Sequence, residues 1–356
     1  MAGVVTTKQD PRLVGWALQD RVVRLRYWGT PTTICLDGAS EWTLGAGPDA
    51  TIRIDDPSGR VSRRHATLAL EEGVWTVRDL GSTNGTKHDG ETRITFQLSA
   101  TDVLELGPVR LIAESEGSIR LHGLLQRWLG WSEERLPEVD RALAAVREMA
   151  ALRTMLVLRG DRRSDQRRAA GAGLLHGFVR RLHDMVLGDE RPLAFRAADE
   201  PARDALARAR DGLLCVDAKH TSGMAQIVAA SRLPDVRVRL VICTAREDDA
   251  AELLATLPRS ATVSLPSLAD RVADFERLLV AYGGDAVREL GAEQLAFRPH
   301  DAMWVREAGV RTLDELEEVA RRLVALRNWG VGEGAKRLGL THGALSQWAR
   351  ARRIPT

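Results

Sequence analysis

The chain has 356 residues, of which 44% are hydrophobic and 28% charged, and its formal net charge is +2. This length predicts two or three domains, and the composition is typical of a soluble globular protein. The longest apolar runs are strand-sized and the first residues are charged, so we expect neither a membrane-spanning helix nor a signal peptide. Three dispersed cysteines (Cys35, Cys215, Cys243) argue against a disulfide framework or a zinc site and favour a reduced cytoplasm.

The charge is unevenly distributed along the chain. Residues 1–116 carry a net charge of −3 and residues 117–320 a net charge of −2, whereas residues 321–356 carry eight basic groups against one acid. An excess of +7 at one end favours a contact with nucleic acid. A solvated basic tail is the alternative interpretation.

The first third of the chain has the pattern of antiparallel β structure. Short runs rich in Val, Ile, Thr and Trp alternate with Gly, Pro, Asn and Asp turns, which predicts a sandwich. The predicted strands are Val22–Tyr27, Thr33–Leu36, Thr51–Ile54, Ala66–Leu70, Trp75–Asp79, Arg93–Leu98, Val103–Leu106 and Arg110–Ala113.

From about residue 138 the apolar residues recur at helical spacing and then alternate with short apolar strands. This alternation predicts a parallel sheet covered by helices. The predicted helices are 168–187, 200–210, 223–231 and 248–257, and the predicted strands are Met155–Leu158, 213–217 and 238–243. We therefore predict a multidomain chain: an all-β sandwich (1–116), a connector (117–137), an α/β core (138–266), a helical lid (267–320) and an all-α terminal domain (321–356).

Two loops of the β part carry a specific motif. Ser62-Arg63-Arg64-His65 is followed after about 20 residues by Ser82-Thr83-Asn84-Gly85-Thr86. With Gly45 ahead of them, these motifs resemble a forkhead-associated (FHA) domain over about residues 20–114. The resemblance implies a phosphothreonine-binding sandwich whose loops gather hydroxyl, amide and cationic donors around a phosphate.

The resemblance also implies the roles of single residues. Ser62 and Thr83 donate to the phosphate, Arg63 adds charge and Asn84 holds the peptide backbone, while His65 and Gly85 are architectural. The candidate phosphopeptide-binding residues are Arg60, Ser62, Arg63, Ser82, Thr83 and Asn84. The family usually has Arg where this chain has Ala46, and Arg60, in an inserted Gly-Arg pair, is the candidate replacement. An FHA fold kept only for packing or protein contact is the alternative.

The middle of the chain resembles the AAA+ domain of NtrC-type bacterial activators over about residues 120–326. Leu265–Asp274 is similar to the family's L-P-P-L-R-E-R-x-x-D-I segment. The phosphate loop G-x-x-x-x-G-K-S/T is not kept, because Asp165, Gln166 and Arg167 replace its second glycine, its lysine and its hydroxyl residue. The loop that engages sigma-54 is also missing. We therefore expect no catalytic residues, no cofactor, no metal and no enzymatic activity.

The end of the chain resembles a Fis-type helix-turn-helix. Ala335 allows close helix crossing, Leu338–Leu340 forms the turn, Thr341 caps the next helix, and Leu345 and Trp348 dock it. The outward face then presents side chains to base edges, and two arginines suit phosphates. The candidate DNA-binding residues are Thr341, His342, Gly343, Ser346, Gln347, Arg350, Arg352 and Arg353. An amphipathic hairpin for dimerisation is the alternative.

Together these features predict a cytoplasmic transcription regulator with an FHA sensor, an inactive AAA+-like core and a DNA-binding end. Its expected partners are double-stranded DNA, a phosphothreonine protein from a Ser/Thr kinase pathway and a second copy of the chain, since paired half-sites add specificity. The alternative is a phosphoprotein adaptor whose last helices mediate oligomerisation. A third interpretation, an ATP-driven activator of sigma-54 polymerase, requires motifs that the chain lacks.

Overall fold

The computed structural model describes residues 21–151, 154–160, 174–219, 222–231, 233, 236–244 and 260–354. They form a β sandwich, a helical pair packed beside it, a parallel sheet covered by helices, and a final set of helices. No helix within these ranges is long and apolar enough to cross a membrane.

The sandwich consists of two sheets, one with the strand order β2-β1-β11-β10-β7-β8 and the other with the order β4-β3-β5-β6-β9. The strands are β1 (Val22–Tyr27), β2 (Thr33–Cys35), β3 (Glu41–Gly45), β4 (Ile52–Arg53), β5 (Ala66–Glu71), β6 (Val74–Asp79), β7 (Thr86–His88), β8 (Glu91–Thr92), β9 (Thr95–Leu98), β10 (Val103–Leu106) and β11 (Val109–Ser115). The predicted sandwich is confirmed. The pattern missed β3, β7 and β8.

The core of the sandwich is made of inward-facing apolar side chains from both sheets. Leu25, Leu44, Leu68 and Leu104 are fully buried. Trp75 is also buried, and its indole N–H donates to the backbone oxygen of Val22 at 2.9 Å. The N–H of this buried indole therefore has a hydrogen-bond partner, as buried polar groups usually do.

Most of the segment predicted as a connector, residues 117–137, lies in a helix that packs against the rest of the chain. Helix α1 (Glu116–Leu129) starts directly after β11, and Ser115 and Ser118 form a reciprocal capping box at its beginning. Its residues Leu121 and Leu125 are fully buried. Helix α2 (Leu136–Ala150) follows after a 3₁₀ turn and packs on α1.

The central sheet is parallel, as the sequence predicts, and has the strand order β13-β14-β15-β12-β16. The strands are β12 (Met155–Arg159), β13 (Leu193–Phe195), β14 (Leu213–Asp217), β15 (Arg239–Thr244) and β16 (Ser260–Ser264), and the helices are α3 (Leu174–Val186), α4 (Ala202–Arg208) and α5 (Met224–Ala230). Helix α3 covers one face and α4 and α5 cover the other. The predicted helix 248–257 and the altered phosphate loop, residues 161–167, lie outside the described residues.

The last part of the chain is helical, as predicted. After a 3₁₀ segment (Ala269–Asp274) come α6 (Phe275–Leu290), α7 (Asp301–Glu307), α8 (Leu313–Arg337) and α9 (His342–Ala351). Helix α8 packs along α6 and is kinked at Gly330, whose φ of +67° and ψ of −170° are not helical. The predicted domain boundary at 320/321 falls inside α8, ten residues before this kink.

Candidate phosphopeptide-binding site

Three loops meet at one end of the sandwich and contain all six candidate phosphopeptide residues. They follow β3, precede β5 and follow β6, three strands that neighbour one another in one sheet. The backbone N–H of Ala46 donates to the carbonyl oxygen of Ser62 at 3.0 Å, and the N–H of Thr83 donates to the hydroxyl oxygen of Ser62 at 3.1 Å. Ser62 therefore joins the other two loops.

The hydroxyl of Ser62 is arranged to donate outward. Its oxygen already accepts the N–H of Thr83, so the hydroxyl hydrogen is left for an additional acceptor. Ser62 is half-buried and Thr83 exposed, which places both beside open solvent. This arrangement fits the role that the FHA resemblance implies for them.

His65 fixes the shape of this end of the sandwich. It is fully buried, its Nδ1 accepts the backbone N–H of Ser62 at 3.2 Å, and its Nε2 donates to the carbonyl oxygen of Gly85 at 3.1 Å. Because a backbone N–H can only donate, this bonding requires a neutral imidazole with its hydrogen on Nε2. His65 thus couples two loops and stays out of contact with solvent.

Ser82 is bonded differently from the other candidate hydroxyls. Its hydroxyl donates to Oδ2 of Asp79 at 2.6 Å, as does that of Thr86 at 2.6 Å. Partial burial on its own would raise the pKa of Asp79, but these hydrogen bonds outweigh burial and lower it. In this structure the hydroxyl of Ser82 therefore organises the loop from within.

Three exposed arginines lie in the loop that precedes β5. Arg60, Arg63 and Arg64 are all exposed, and within the described ranges their guanidinium groups have no ion-pair partner. Asp56 shapes the loop that carries Arg60, since Oδ2 accepts the backbone N–H groups of Arg60 at 2.6 Å and Val61 at 2.7 Å. Arg64, Asp56 and Asp79 are not among the candidate residues predicted from the sequence. Aspartates in such turns commonly accept hydrogen bonds from the backbone.

The position of the missing family arginine is tightly packed. A Cβ on Gly45 would lie 2.2 Å from the carbonyl oxygen of Arg63, and a Cβ on Gly47 would lie 2.7 Å from the Arg63 Cβ. These two glycines let the loop around Ala46 approach the Arg63 backbone. Ala46 itself is half-buried and uncharged, so the guanidinium that the family usually has at this position is absent here.

Asn84 links the third loop to the arginine loop. Its Nδ2 donates to the carbonyl oxygen of Arg60 at 2.7 Å, and the residue is exposed. Its amide oxygen is left to accept a hydrogen bond from a peptide N–H, which fits the implied backbone-holding role. The same bond brings the Arg60 segment, the proposed source of replacement charge, to the Ser62 side of the site.

The candidate DNA-binding residues lie on α9, at its N-cap (Thr341) and just after it. Thr341 accepts the backbone N–H of Ala344 at 3.2 Å and so caps the helix as predicted. The apolar side of α9 is buried through Leu345, Trp348 and Ala349. An open surface depression on the opposite side is lined by His342, Gly343, Ser346, Gln347, Arg350 and Ala351.

The two arginines after α9 differ in their surroundings. Arg353 is exposed. Arg352 is half-buried, with its guanidinium over the ring of Trp348 at 5.3 Å. Burial and the neighbouring Arg322 both lower the pKa of Arg352. Arg353 is therefore freer than Arg352 to meet a phosphate.

Residues 42–107 match the family model of the FHA domain, which confirms the resemblance for this part of the chain. The oxoglutarate dehydrogenase inhibitor of Corynebacterium diphtheriae is 34% identical over 111 residues, which are 31% of this chain and 64% of that protein. The glycogen accumulation regulator GarA of Mycolicibacterium smegmatis is 41% identical over 70 residues, 20% of this chain and 43% of that protein.

FhaA of Mycobacterium tuberculosis is 35% identical over 103 residues, 26% of this chain and 18% of that protein. The chain thus spans less than two thirds of the length of these curated relatives. Among solved structures, an FHA domain studied for its phosphothreonine-dependent interactions is 32% identical, with a TM-score of 0.25, and the match covers 27% of this chain and 97% of that one.

Proposed function

We propose that this chain, which contains an FHA domain at residues 42–107, is a DNA-binding transcription regulator that senses a threonine-phosphorylated partner. The observation that carries the proposal is the two-sided character of α9. Its apolar side is buried against the chain, and its polar side faces solvent, with His342, Gln347 and Arg350 exposed. A recognition helix needs this division, because one side docks and the other meets base edges.

The FHA domain supports binding of a phosphothreonine partner. Ser62 and Thr83 lie beside each other, and Arg60 and Arg63 stand exposed on the same loop. A dianionic phosphate is bound most strongly by charged donors combined with hydroxyl and amide donors. In this proposal a Ser/Thr kinase acts upstream by creating the phosphorylated partner.

The central domain is proposed to be an inactive AAA+-like core, so the chain is not an enzyme. Its sequence lacks the phosphate-binding lysine, which is replaced by Gln166. The remaining acid, Asp217, lies 3.7 Å from Nζ of Lys219 and 3.7 Å from Nε2 of His176. The ammonium of Lys219 and the imidazole of His176 compete with magnesium for this carboxylate. This supports an AAA+-like fold that does not hydrolyse ATP.

The helix-turn-helix is proposed to work in the cytoplasm and as a dimer, since one such unit gives little specificity. The turn before α9 contains Gly339 with φ of +66°, a backbone conformation suited to glycine. Residues 321–356 also hold the whole positive excess of the chain. The turn geometry and the positive charge of residues 321–356 therefore both support DNA binding.

The alternative is a phosphoprotein adaptor whose last helices mediate oligomerisation. Several basic groups there are already engaged within the chain: Arg337 stacks over Trp329 at 4.1 Å and donates to the carbonyl oxygen of Leu290 at 3.0 Å. Arg352 is stacked as well. Such intramolecular contacts leave fewer free cations for a DNA backbone, and this favours the adaptor.

Genome-wide occupancy mapping of the tagged full chain tests the proposal. The wild type and the control Arg120→Ala, an exposed change on α1, should occupy discrete sites, whereas Gln347→Ala and Arg350→Ala should lose them. Enrichment at no site, together with an unchanged profile in both α9 variants, would exclude the DNA-binding proposal and leave the adaptor. Ser62→Ala tests the sensor separately, because it should leave DNA binding in vitro intact and alter occupancy only when the kinase is active.

A further inference from the structure

A buried cluster of two thiols and one imidazole lies under the carboxyl edge of the central sheet. Cys215 in β14, Cys243 in β15 and His176 in α3 each offer one ligand atom, and these atoms lie within 4.8 Å of one another. All three residues are buried, with exposed fractions of 1%, 1% and 5%. The phosphopeptide site and the proposed DNA-binding face do not include them.

Strand pairing brings the two cysteines together although 28 positions separate them. Cys215 pairs with Val241 and Cys243 pairs with Asp217 in the parallel register, so both thiols project from the same face of adjacent strands. This face is the one that α3 covers, and His176 is a hydrogen-bond partner of Cys215. Three separate elements thus converge on one point.

The spacing fits a tetrahedral metal. Zinc–sulfur bonds of about 2.3 Å at a tetrahedral angle place two sulfurs about 3.8 Å apart. The Sγ atoms of Cys215 and Cys243 are 3.5 Å apart. Two thiolates and one imidazole form a donor set that selects zinc over magnesium or calcium, which prefer oxygen.

The charges also fit. Two thiolates neutralise a divalent ion, so the occupied site adds no net charge to the surrounding apolar core. Asp217 lies 3.7 Å from Nε2 of His176, on the same side of the sheet. A carboxylate beside a ligating imidazole is the usual outer partner that orients the ring and raises its basicity.

We propose that Cys215, Cys243 and His176 bind one zinc ion, with Asp217 positioning His176. The ion joins α3 to β14 and β15 and thereby clamps the helix onto the sheet. Binding releases the thiol protons to solvent as the two sulfur–metal bonds form, and no oxidation state changes.

Zinc titration of the full chain tests the proposal. Protein treated with a chelator under reducing conditions receives zinc chloride, passes through gel filtration and is analysed for bound metal. The wild type should retain about one zinc ion per chain, and so should Cys35→Ser, because Cys35 is exposed and remote in sequence from the cluster. Cys215→Ser and Cys243→Ser should lose it, and magnesium chloride should not replace zinc.

Cobalt provides a second readout, which on the wild-type chain does not depend on whether a variant folds. Cobalt bound to the wild-type chain should give the sulfur-to-metal charge-transfer band and the visible bands of a tetrahedral thiolate site, and His176→Asn should change the visible bands. Absence of bound zinc and of these bands in the wild type, or full zinc retention by the Cys215→Ser/Cys243→Ser chain, overturns the proposal. A thiol count showing that the two buried cysteines are joined as a disulfide overturns it as well.

Discussion

Arg26 in β1 and Asp140 in α2 are joined by two buried hydrogen bonds that tie the FHA sandwich to the helical pair. Nη2 of Arg26 is 2.6 Å from Oδ1 and Nη1 is 3.1 Å from Oδ2 of Asp140. Nε of Arg26 donates to Glu114 at 2.7 Å, and the N–H of Gly29 donates to Asp140 at 2.7 Å. Burial on its own would raise the pKa of Asp140, but neighbouring His122 and Arg26 outweigh it and lower the pKa.

We expect Asp140→Ala to lower the free energy of unfolding by about 3 kcal/mol. Removing one partner of a buried ion pair costs about 3–5 kcal/mol, and the lower end applies because Glu114 still pairs with Arg26. The wild-type contribution of Asp140 is present above the unfolded-state pKa and is lost as pH falls through the lowered folded-state value. Urea unfolding near neutral pH measures the change.

Asp204→Ala is the matched control, because Asp204 pairs with Arg203 on the surface, where the two side chains are 51% and 89% exposed. Such a pair contributes at most about 1 kcal/mol. Equal losses in the two variants would show that the buried pair does not stabilise the contact between sandwich and helices.

His88 gives this same contact a dependence on pH. Its Nε2 is 2.8 Å from Oδ2 of Asp102, and Arg147 of α2 pairs with Asp89 and Asp102. Burial alone would lower the pKa of His88, but its hydrogen bond to Asp102 and the charges of Asp102 and Asp89 outweigh burial and raise the pKa above 6.5. The protonated ring therefore stabilises the fold.

The sign of the effect follows from the raised pKa. The contribution of His88 is fully present below pH 6.5 and is lost as pH rises through the folded-state value. We expect His88→Gln to reduce the loss of unfolding free energy between about pH 6 and about pH 8, measured in urea. His342→Gln, a change at an exposed ring, should keep the wild-type pH profile. Identical profiles for wild type and His88→Gln would contradict the assignment.

The phosphopeptide site gives a prediction for affinity. A hydrogen bond to a charged group contributes about 1.5–3 kcal/mol, so Ser62→Ala, Arg60→Ala or Arg63→Ala should each weaken a phosphothreonine peptide by roughly 10-fold to 100-fold. Fluorescence anisotropy with the phosphorylated peptide and its unphosphorylated twin measures this. Arg120→Ala serves as the control.

The outcome for Arg60 is informative by itself. The backbone carbonyl of Arg60 accepts a hydrogen bond from Asn84, so the backbone of Arg60 lies beside another candidate residue of the site. If Arg60→Ala keeps full affinity, the charge missing at Ala46 is not replaced. If both peptides bind the wild type equally well, the FHA domain is a structural module.

Features whose residues lie close together in the sequence could be predicted, and features whose residues are distant in the sequence could not. The two FHA loops could be identified because their residues form two short motifs. The capped α9 could be identified because its N-cap, Thr341, and its buried residues Leu345 and Trp348 lie close together in the sequence. Strands β7 and β8 were missed because they are two or three residues long and mostly polar. Their polar residues give no apolar alternation from which a strand could be predicted.

Contacts between residues that are far apart in the sequence could not be predicted from motifs or from apolar spacing. The wide spacing of the cysteines along the sequence argues against a metal site. The parallel register of β14 and β15 nevertheless places Cys215 beside Cys243. Likewise, Arg26 and Asp140 are 114 positions apart. From the sequence alone, neither Arg26 nor Asp140 can be distinguished from a charged residue at the surface, because their pairing depends on the packing of β1 against α2.

The proposed inactive core predicts no response to ATP. The sequence lacks the lysine that meets the β and γ phosphates, so purified full chain should neither hydrolyse ATP with magnesium nor gain thermal stability from it. A phosphate-release assay and a melting curve check the two statements. Turnover above a no-enzyme background, or a rise in Tm with ATP, would contradict the proposed inactive core.

The outward face of α9 leads to the final prediction, which separates base contacts from phosphate contacts. Gln347 is exposed on this face, so Gln347→Ala should cost on the order of 1–3 kcal/mol at one preferred base pair and leave nonspecific binding nearly unchanged. Arg353→Ala should weaken binding to every sequence and make the salt dependence shallower by about one unit, since log K falls by about 0.9 per phosphate neutralised.

Arg352→Ala should differ from Arg353→Ala, because Arg352 is half-buried over Trp348 and contributes packing as well as charge. We expect it to lower the Tm of the full chain, whereas Arg353→Ala, at an exposed side chain, should not. Gel-shift series of the full chain at several salt concentrations, combined with melting curves, distinguish these effects. Binding that does not respond to salt, or no binding at physiological salt, would exclude the DNA-binding function and leave the adaptor, whose test is a change of oligomeric state in the same α9 variants.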